Sequence, residues 1–391
     1  MYISDIAIIF TEKKMNPFYI SGAIPDKYFC DRQEESANLT RILRNQGNVL
    51  LTSPRRMGKT RLINHVFEQP PIASDYYTFY VDIYPTTSLN ELILYLSKEI
   101  YTTLVPKGKS ILDHFLSLLH SLVGCFGYDP VRSIPTFEVK LGDIRTPELT
   151  LQEIFEYLEN ADKPCIVAID EFQQIEKYPE KNVEALLRTH IQRMNNCQFI
   201  FAGSNRHVLE NMFNSSARPF YNSVEQMYLD RIPRETYVEF ILKCFREAGR
   251  EIMPEAAELA YDIFDGHTYY VHQLMHTEFS NCDASHPVGT DDVRKALAEI
   301  IDEKSHTFSG QVNRLNYQQK EVLIAIAKEG KAARLMSVAF VRKHALKSPS
   351  SVQYAVSTLL DSQMITYEDE GRTKVYSVSD RFLEYWLKLK Y

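Results

Sequence analysis

Apolar positions along the chain follow two periods, and the order in which those periods alternate predicts most of the architecture. Residues 26–46, DKYFCDRQEESANLTRILRNQ, place Leu39, Ile42 and Leu43 at helical spacing behind a charged stretch. NVLLTSPRRMGKTRLINHVF then gives an apolar strand over Val49–Thr52, a loop over Ser53–Gly58, and a helix from Lys59 to about Phe67. YYTFYVDIY is a β-branched and aromatic run ending at Asp82, closed by Pro85 and followed by helical spacing at Leu89, Leu92, Ile93, Leu96 and Ile100. A helix around 110–122 precedes a loop-rich section with one strand expected at Phe137–Leu141. A helix at Leu151–Glu159 leads into a third clear strand, PCIVAIDEF, and a helix over 181–194 into a fourth, CQFIFAGSN. Strands alternating with helices predict an α/β domain with a parallel sheet covered on both faces.

That alternation stops near residue 230. From RIPRETYVEFILKCF to KALAEIIDE the pattern is helical only, with a break at DGHTYY. Helices then follow at Tyr317–Lys328, Leu335–His344 and Ser350–Asp361, and MITYEDEGRTKVYSVSD reads as two alternating strands around a Glu-Gly turn. Three helices and a two-stranded wing make a winged helix-turn-helix. The expected division is an α/β domain over 1–230, a helical lid over 231–308 and a winged helix over 309–391. Met15, which opens MNPFYISGAIPDKYF, is a second candidate start; residues 1–14 would then be a leader without a structural role.

Composition narrows the class. With 391 residues, 45% of them hydrophobic, the chain can bury a substantial core in two or three domains. A net charge of −7 excludes a protein that coats nucleic acid along its whole surface. Residues 309–391 nevertheless hold thirteen Lys and Arg against eight Asp and Glu, so a local basic module remains. The six cysteines are scattered without CxxC or Cys/His ligand spacing, which points to reduced core thiols and a cytoplasmic setting. No apolar run approaches the ~20 residues of a membrane span, and the first residues lack the basic start and cleavage site of a signal peptide.

TSPRRMGKT places Gly-Lys-Thr between an apolar strand and a helix, the setting in which backbone amides converge on a phosphate. Ser53, Pro54, Arg55, Arg56, Met57, Gly58, Lys59, Thr60 and Arg61 form the expected cradle for ATP or ADP. Gly58 allows close backbone approach, Lys59 reaches the β and γ phosphates, and Thr60 ligates Mg2+. PCIVAIDEF is an apolar strand ending in two acids, as a Walker B element requires: Asp170 for Mg2+ and Glu171 for the attacking water. Ser204, at the end of CQFIFAGSN, fits both a γ-phosphate sensor and a simple strand-ending turn. Arg218 fits both a solvated loop and a cation for the transferring phosphoryl group, supplied in cis or across a subunit boundary.

On these motifs the sequence resembles the archaeal-type P-loop ATPases, a branch of the AAA+/STAND group. NPFYISGAIPDKYFCDRQEE resembles that family's N-terminal segment, SPRRMGKT its phosphate loop and IDEFQQI its Walker B. FAGSNRHVLENMF resembles its sensor segment, and GHTYYVHQL its Gly-His-Pro-Tyr-Tyr lid motif. The resemblance runs from Met15 to the C-terminus. It implies an ASCE-type sheet with Walker A and B on adjacent strands, a lid over the base, and slow, Mg2+-dependent ATP hydrolysis. Lys59, Thr60, Asp170, Glu171 and Ser204 match the family's functional positions. Three departures stand out: Ser53 for the first loop glycine, Thr268 for the lid proline, and Ser223 where an arginine often ends the segment after PFY.

The winged helix leaves its partner open. SPSSVQYAVSTLLD buries Val352, Val356, Leu359 and Leu360 and keeps Ser350, Ser351, Gln353 and Tyr354 for outside contacts, with Lys343 and Lys347 upstream for phosphates. Glu368, Asp369 and Glu370 put three acids in the wing, where a DNA-gripping wing carries cations; Arg372 and Lys374 offset them in part. A motor on duplex DNA and a nucleotide-controlled switch docking a protein client both fit, and neither fixes an oligomeric state.

Overall fold

Three strands of the first half are buried along their whole length, which only a sheet covered on both faces allows. The computed structural model describes residues 16–20, 22, 24–121, 126–129, 134–137, 144–282, 285–371 and 373–391. The leader expected at 1–14, the alternative start Met15, Cys125 and Arg372 lie outside them. In chain order the first half runs α1 (Gln33–Arg44), β1 (Val49–Thr52), α2 (Lys59–Glu68), α3 (Pro70–Ala73), β2 (Tyr77–Asp82), α4 (Leu89–Leu104) and α5 (Lys109–Leu118). It continues with β3 (Phe126–Asp129), β4 (Ile134–Phe137), α6 (Pro147–Asn160), β5 (Cys165–Asp170), α7 (Val183–Ile191), β6 (Cys197–Gly203), α8 (Arg206–Asn214) and β7 (Glu225–Tyr228).

The main sheet is parallel with strand order β2-β5-β6-β1-β7. This overturns the expectation that the P-loop strand β1 and the acid-bearing strand β5 are neighbours: β6 pairs with both. The reason is in the residues. CQFIFAG is buried throughout and suits an interior strand, whereas β2 alternates and β7 buries only Met227, so both suit edges. β7 is a fifth strand that the hydrophobic pattern did not announce, because EQMY offers no apolar run. β3 and β4 form an antiparallel hairpin; of the strand expected at Phe137–Leu141, Phe137 ends β4 and residues 138–141 lie outside the described residues.

One face of the sheet, carrying Leu50, Phe79, Val167, Phe199 and Phe201, packs in a core with α4, α6, α7 and α8. Within it Phe172, Phe201, Phe213 and Phe220 meet ring to ring, with centroids 4.7–5.9 Å apart. Phe172, the residue after Glu171, ties this aromatic cluster to the Asp170-Glu171 turn. The alternate residues Val49, Leu51, Ile166, Ala168, Ile200 and Ala202 are buried too. On α1 and α2, which pack together, Leu39, Ile42, Leu43, Leu62, Ile63 and Val66 are buried as well.

The chain separates into two compact units, residues 31–231 and the remainder. The second unit holds α9 (Arg234–Glu247), α10 (Pro254–Ile263), α11 (Thr268–Asn281), α12 (Thr290–Asn313) and α13 (Tyr317–Glu329). It ends with β8 (Ala332–Ala333), α14 (Val338–Lys343), α15 (Pro349–Asp361), β9 (Ile365–Glu370), β10 (Thr373–Val378) and α16 (Arg381–Lys390). Its helical part and its winged helix share one core, in which Phe264 of the first meets Phe382 of the second at 5.2 Å. Phe18 is buried in the same core, and the Asn16 amide donates to the His276 carbonyl at 2.9 Å. The GHTYY segment begins α11: Thr268 occupies the first helical position, where a proline is well tolerated because its missing N–H would have no helical partner. Among the described residues no helix is long and apolar enough to cross a membrane.

Candidate active site

Strand β1 ends at Thr52 and the chain turns through Ser53–Gly58 before α2 begins at Lys59. Gly58 adopts φ 92°, a conformation that favours glycine, and hands the chain to the helix; the Leu62 amide donates to its carbonyl at 2.9 Å. Ser53 is not among the residues with positive φ, so the replacement of the first loop glycine imposes no backbone strain there. Its side chain is 2% exposed and its hydroxyl has no hydrogen-bond partner among the described residues. Met57 is buried, while Arg55 and Arg56 are exposed. Arg55 donates to Ser204 Oγ at 3.3 Å.

The apolar run of β5 delivers Asp170 and Glu171 to the same end of the sheet. Glu171 adopts φ 56°, ψ 40°, a left-handed geometry that costs a non-glycine residue roughly 1–2 kcal/mol. Its amide donates to Asp170 Oδ1 at 2.8 Å. Lys59 Nζ lies 2.7 Å from Asp170 Oδ1 and 3.4 Å from Glu171 Oε1. Thr60 Oγ1 donates to Asp170 Oδ2 at 3.0 Å, and Ser204 Oγ donates to Glu171 Oε2 at 3.0 Å. Lys59, Thr60, Asp170, Glu171 and Ser204 are therefore brought into one hydrogen-bonded group. Asp170 is 4% exposed. Burial alone would raise its carboxyl, but the Lys59 ammonium, with hydrogen bonds from Lys59, Tyr80 and the Glu171 amide, holds it below the usual carboxylate range.

Four further residues complete the site without having been singled out from the sequence. Arg32, 5% exposed, donates to the Asp230 carbonyl at 2.6 Å and the Met57 carbonyl at 3.5 Å, tying the loop to the chain after β7. Gln173 donates to Glu171 Oε2. Tyr80 donates to Asp170 Oδ2 and lies 3.2 Å from Thr60 Oγ1; burial, with Asp170 adding, pushes its phenol up. Asp82 stands level with Asp170 on the neighbouring strand, and burial, with Asp170 and Glu171 adding, raises its carboxyl. The run YYTFYVDIY carried the signal for the last two: its alternation puts Tyr80 and Asp82 on one side of the strand.

Arg218 is placed elsewhere. Its guanidinium is taken up by Glu184, with Nε 3.2 Å from Oε2, and by Glu176, and none of its contacts among the described residues is with the Lys59 group. Ser223 donates to the Phe220 carbonyl at 2.6 Å, a turn contact. In the winged helix, Ser350, Gln353 and Tyr354 are exposed on α15, as are Lys343, Lys347, Glu368 and Asp369. Ser351 is spent on the helix cap, its hydroxyl accepting from the Ser348 amide at 3.1 Å, and Lys343 pairs with Glu329 at 2.6 Å.

The chemistry this arrangement supports is that of a charged, oxygen-rich ligand beside a small hard cation. Thr60, Asp170 and Tyr80 present oxygens only, and among the described residues no three His, Cys, Asp or Glu are arranged to hold a metal ion by themselves. That set fits Mg2+, which is held by one or two protein oxygens and completes its shell with water and phosphate.

Comparison with known proteins gives the family and the fold. Residues 29–274 match the family described as "ATPase domain predominantly from Archaea", and residues 306–389 match "Probable winged helix domain". No curated protein matches the sequence. Among solved structures, the chain is similar to the Walker-type ATPase paby2304 of Pyrococcus abyssi, with TM-score 0.64 and 18% identity over 95% of this chain and 99% of that one. It is also similar to the ORC2 protein of Aeropyrum pernix in its ADPNP-ADP complexes, with TM-score 0.57 and 16% identity over 97% and 98%.

Proposed function

Because the chain belongs to the family of ATPase domains found predominantly in Archaea, and is an ATPase, we propose that it hydrolyses ATP slowly with Mg2+ and uses the cycle to drive a conformational change on duplex DNA. The observation that carries this reading is the convergence of Lys59, Thr60, Asp170, Glu171 and Ser204 at one end of the sheet. In it, Lys59 holds the β and γ phosphates, the loop amides of Ser53–Gly58 cradle them, and Thr60 with Asp170 holds the metal. Mg2+, when bound, offsets charge on the phosphate oxygens. Glu171 orients and activates the attacking water, and Ser204 reports the γ-phosphate to Glu171.

The engagement of Glu171 supports the slow turnover of this reading. One of its oxygens faces Lys59 and the other accepts from Ser204 and Gln173. Lys59 must turn to phosphate, and Ser204 must release its oxygen, before the carboxylate is free to take a water. Arg218 is not needed for these steps.

For duplex DNA the support is the exposed Ser350, Gln353 and Tyr354 on α15, with Lys347 close by in a module of net positive charge. The exposed acids Glu368 and Asp369 favour a second reading, a nucleotide switch whose winged helix docks a protein. ATP turnover with and without duplex DNA separates them. Stimulation supports the first; no stimulation, with ADP retained through purification, supports the second. Lys59→Ala is expected to lose nucleotide binding, and Glu171→Gln to bind ATP with turnover reduced at least about 100-fold. Parent-like behaviour of both variants would remove the site assignment.

A further inference from the structure

Tyr80 sits where the proposed metal-holding pair meets, and neither that reading nor the family match gives it a task. It lies on β2, the edge strand next to β5. Strand alternation sends Tyr77, Phe79 and Val81 into the core and turns Tyr80 the other way, towards α2. Its backbone N–H, on the free side of that edge, is capped by Glu99 Oε1 of α4 at 3.3 Å. The ring is thereby fixed at a position from which its hydroxyl reaches two elements at once: Thr60 Oγ1 at 3.2 Å and Asp170 Oδ2.

The direction of these hydrogen bonds is informative. Asp170 Oδ2 accepts from Tyr80, and it accepts from Thr60 at 3.0 Å. The Tyr80 hydroxyl also faces Thr60 Oγ1 as an acceptor at 3.2 Å; when its one proton goes to Asp170 instead, both hydroxyl protons are committed to the carboxylate. Each hydroxyl oxygen then presents lone pairs alone, which is what a cation, or the water it binds, requires. A phenylalanine here would fill the same space. It would also leave Asp170 Oδ2 with Thr60 as its one hydroxyl donor and hold the carboxylate less firmly.

We propose that Tyr80 is a positioning residue for Mg2+-nucleotide binding: its hydroxyl orients the Asp170 carboxylate and the Thr60 hydroxyl and supplies an outer-shell acceptor beside them. This rests on the assignment of Thr60 and Asp170 as the metal-holding pair.

The test compares ATP affinity by calorimetry in Mg2+ and in EDTA for the parent, Tyr80→Phe and Asp170→Asn. Tyr80→Phe is expected to lose about tenfold of the Mg2+-dependent gain in affinity, as outer-shell partners of metal ligands do, with its affinity in EDTA unchanged. Asp170→Asn should lose most of that gain. A full Mg2+ gain in Asp170→Asn overturns the metal assignment itself. If Asp170→Asn loses the gain and Tyr80→Phe retains it, the assignment stands and the role of Tyr80 is overturned. Equal weakening of Tyr80→Phe in Mg2+ and EDTA overturns it as well, because a ring that only packs would affect both conditions alike.

Discussion

Two carboxyls of this chain are almost equally buried and behave in opposite ways. Asp170, in the first unit, is 4% exposed, and Glu278, on α11 of the second, is 3% exposed. Burial pushes Glu278 up to about 7, with Asp292 and Glu299 adding and Lys295 only partly opposing. Lys295 is 3.1 Å from Asp292, so its charge is already shared. At Asp170 the same burial is overcome by the Lys59 ammonium at 2.7 Å and by hydrogen bonds from Tyr80 and the Glu171 amide. Depth therefore does not distinguish a working acid from an inconvenient one. A matched cation and directed donors do, and Asp170 meets both at the end of its strand.

The largest effect should come from breaking that match. Lys59→Met leaves Asp170 buried without its cation, and the nucleotide-free protein is expected to lose about 3 kcal/mol of stability. Pairing Lys59→Met with Asp170→Asn should recover most of the loss, since the uncompensated charge goes with it. Urea unfolding followed by circular dichroism measures both. A single Lys59→Met variant as stable as the parent would show that pairing is not what makes this burial tolerable.

Why Asp170 was legible in the sequence and Glu278 was not follows from the same contrast. CIVAID is a continuous apolar run that ends in acids, and GKT sits between a strand and a helix, so type and spacing alone announce chemistry. The α/β class, the parallel sheet and the winged helix were legible for similar reasons of period. The insertion of β6 between β1 and β5 was not, because helical crossovers leave strand order free and only the degree of burial distinguishes interior from edge. Arg32 was invisible because its partner Asp230 lies 198 positions away. Tyr80 was invisible because a tyrosine on an alternating strand is ordinary until Thr60 and Asp170 are placed beside it. The burial of Glu278 is set by its fit against α12, which no local pattern encodes.

Arg218 offers an intermediate case with a smaller effect. Burial raises the Glu184 carboxyl even though the Arg218 guanidinium opposes it, with Glu176 adding to the rise. Arg218→Ala is expected to cost about 1.5 kcal/mol, because the pair is only partly buried. Turnover should change by less than about threefold, whereas an arginine acting on the transferring phosphoryl group would cost about a thousandfold. Steady-state ATPase rates and unfolding curves on the same preparations give both readings. A large loss of turnover at unchanged stability would return Arg218 to the catalytic machinery.

The smallest effect is conditional on pH and tests Glu278 directly. A carboxyl raised from its ordinary value of 4.5 to about 7 holds its proton more tightly in the folded state than in the unfolded one. Its contribution is fully present below the unfolded value and is lost as pH rises through the folded one, because the native state must then keep a buried charge without a cation of its own. Glu278→Gln removes that charge while keeping the shape. At pH 8 the substitution should raise the unfolding midpoint by about 2–4 °C, and at pH 5, just above the unfolded value, the gain should be much smaller. The sign is opposite at Asp170, whose depressed carboxyl contributes stability above the unfolded value and loses it as pH falls. A Glu278→Gln variant stabilised equally at pH 5 and pH 8 would mean that the gain came from packing rather than charge, and the contrast between the two acids would lose its second half.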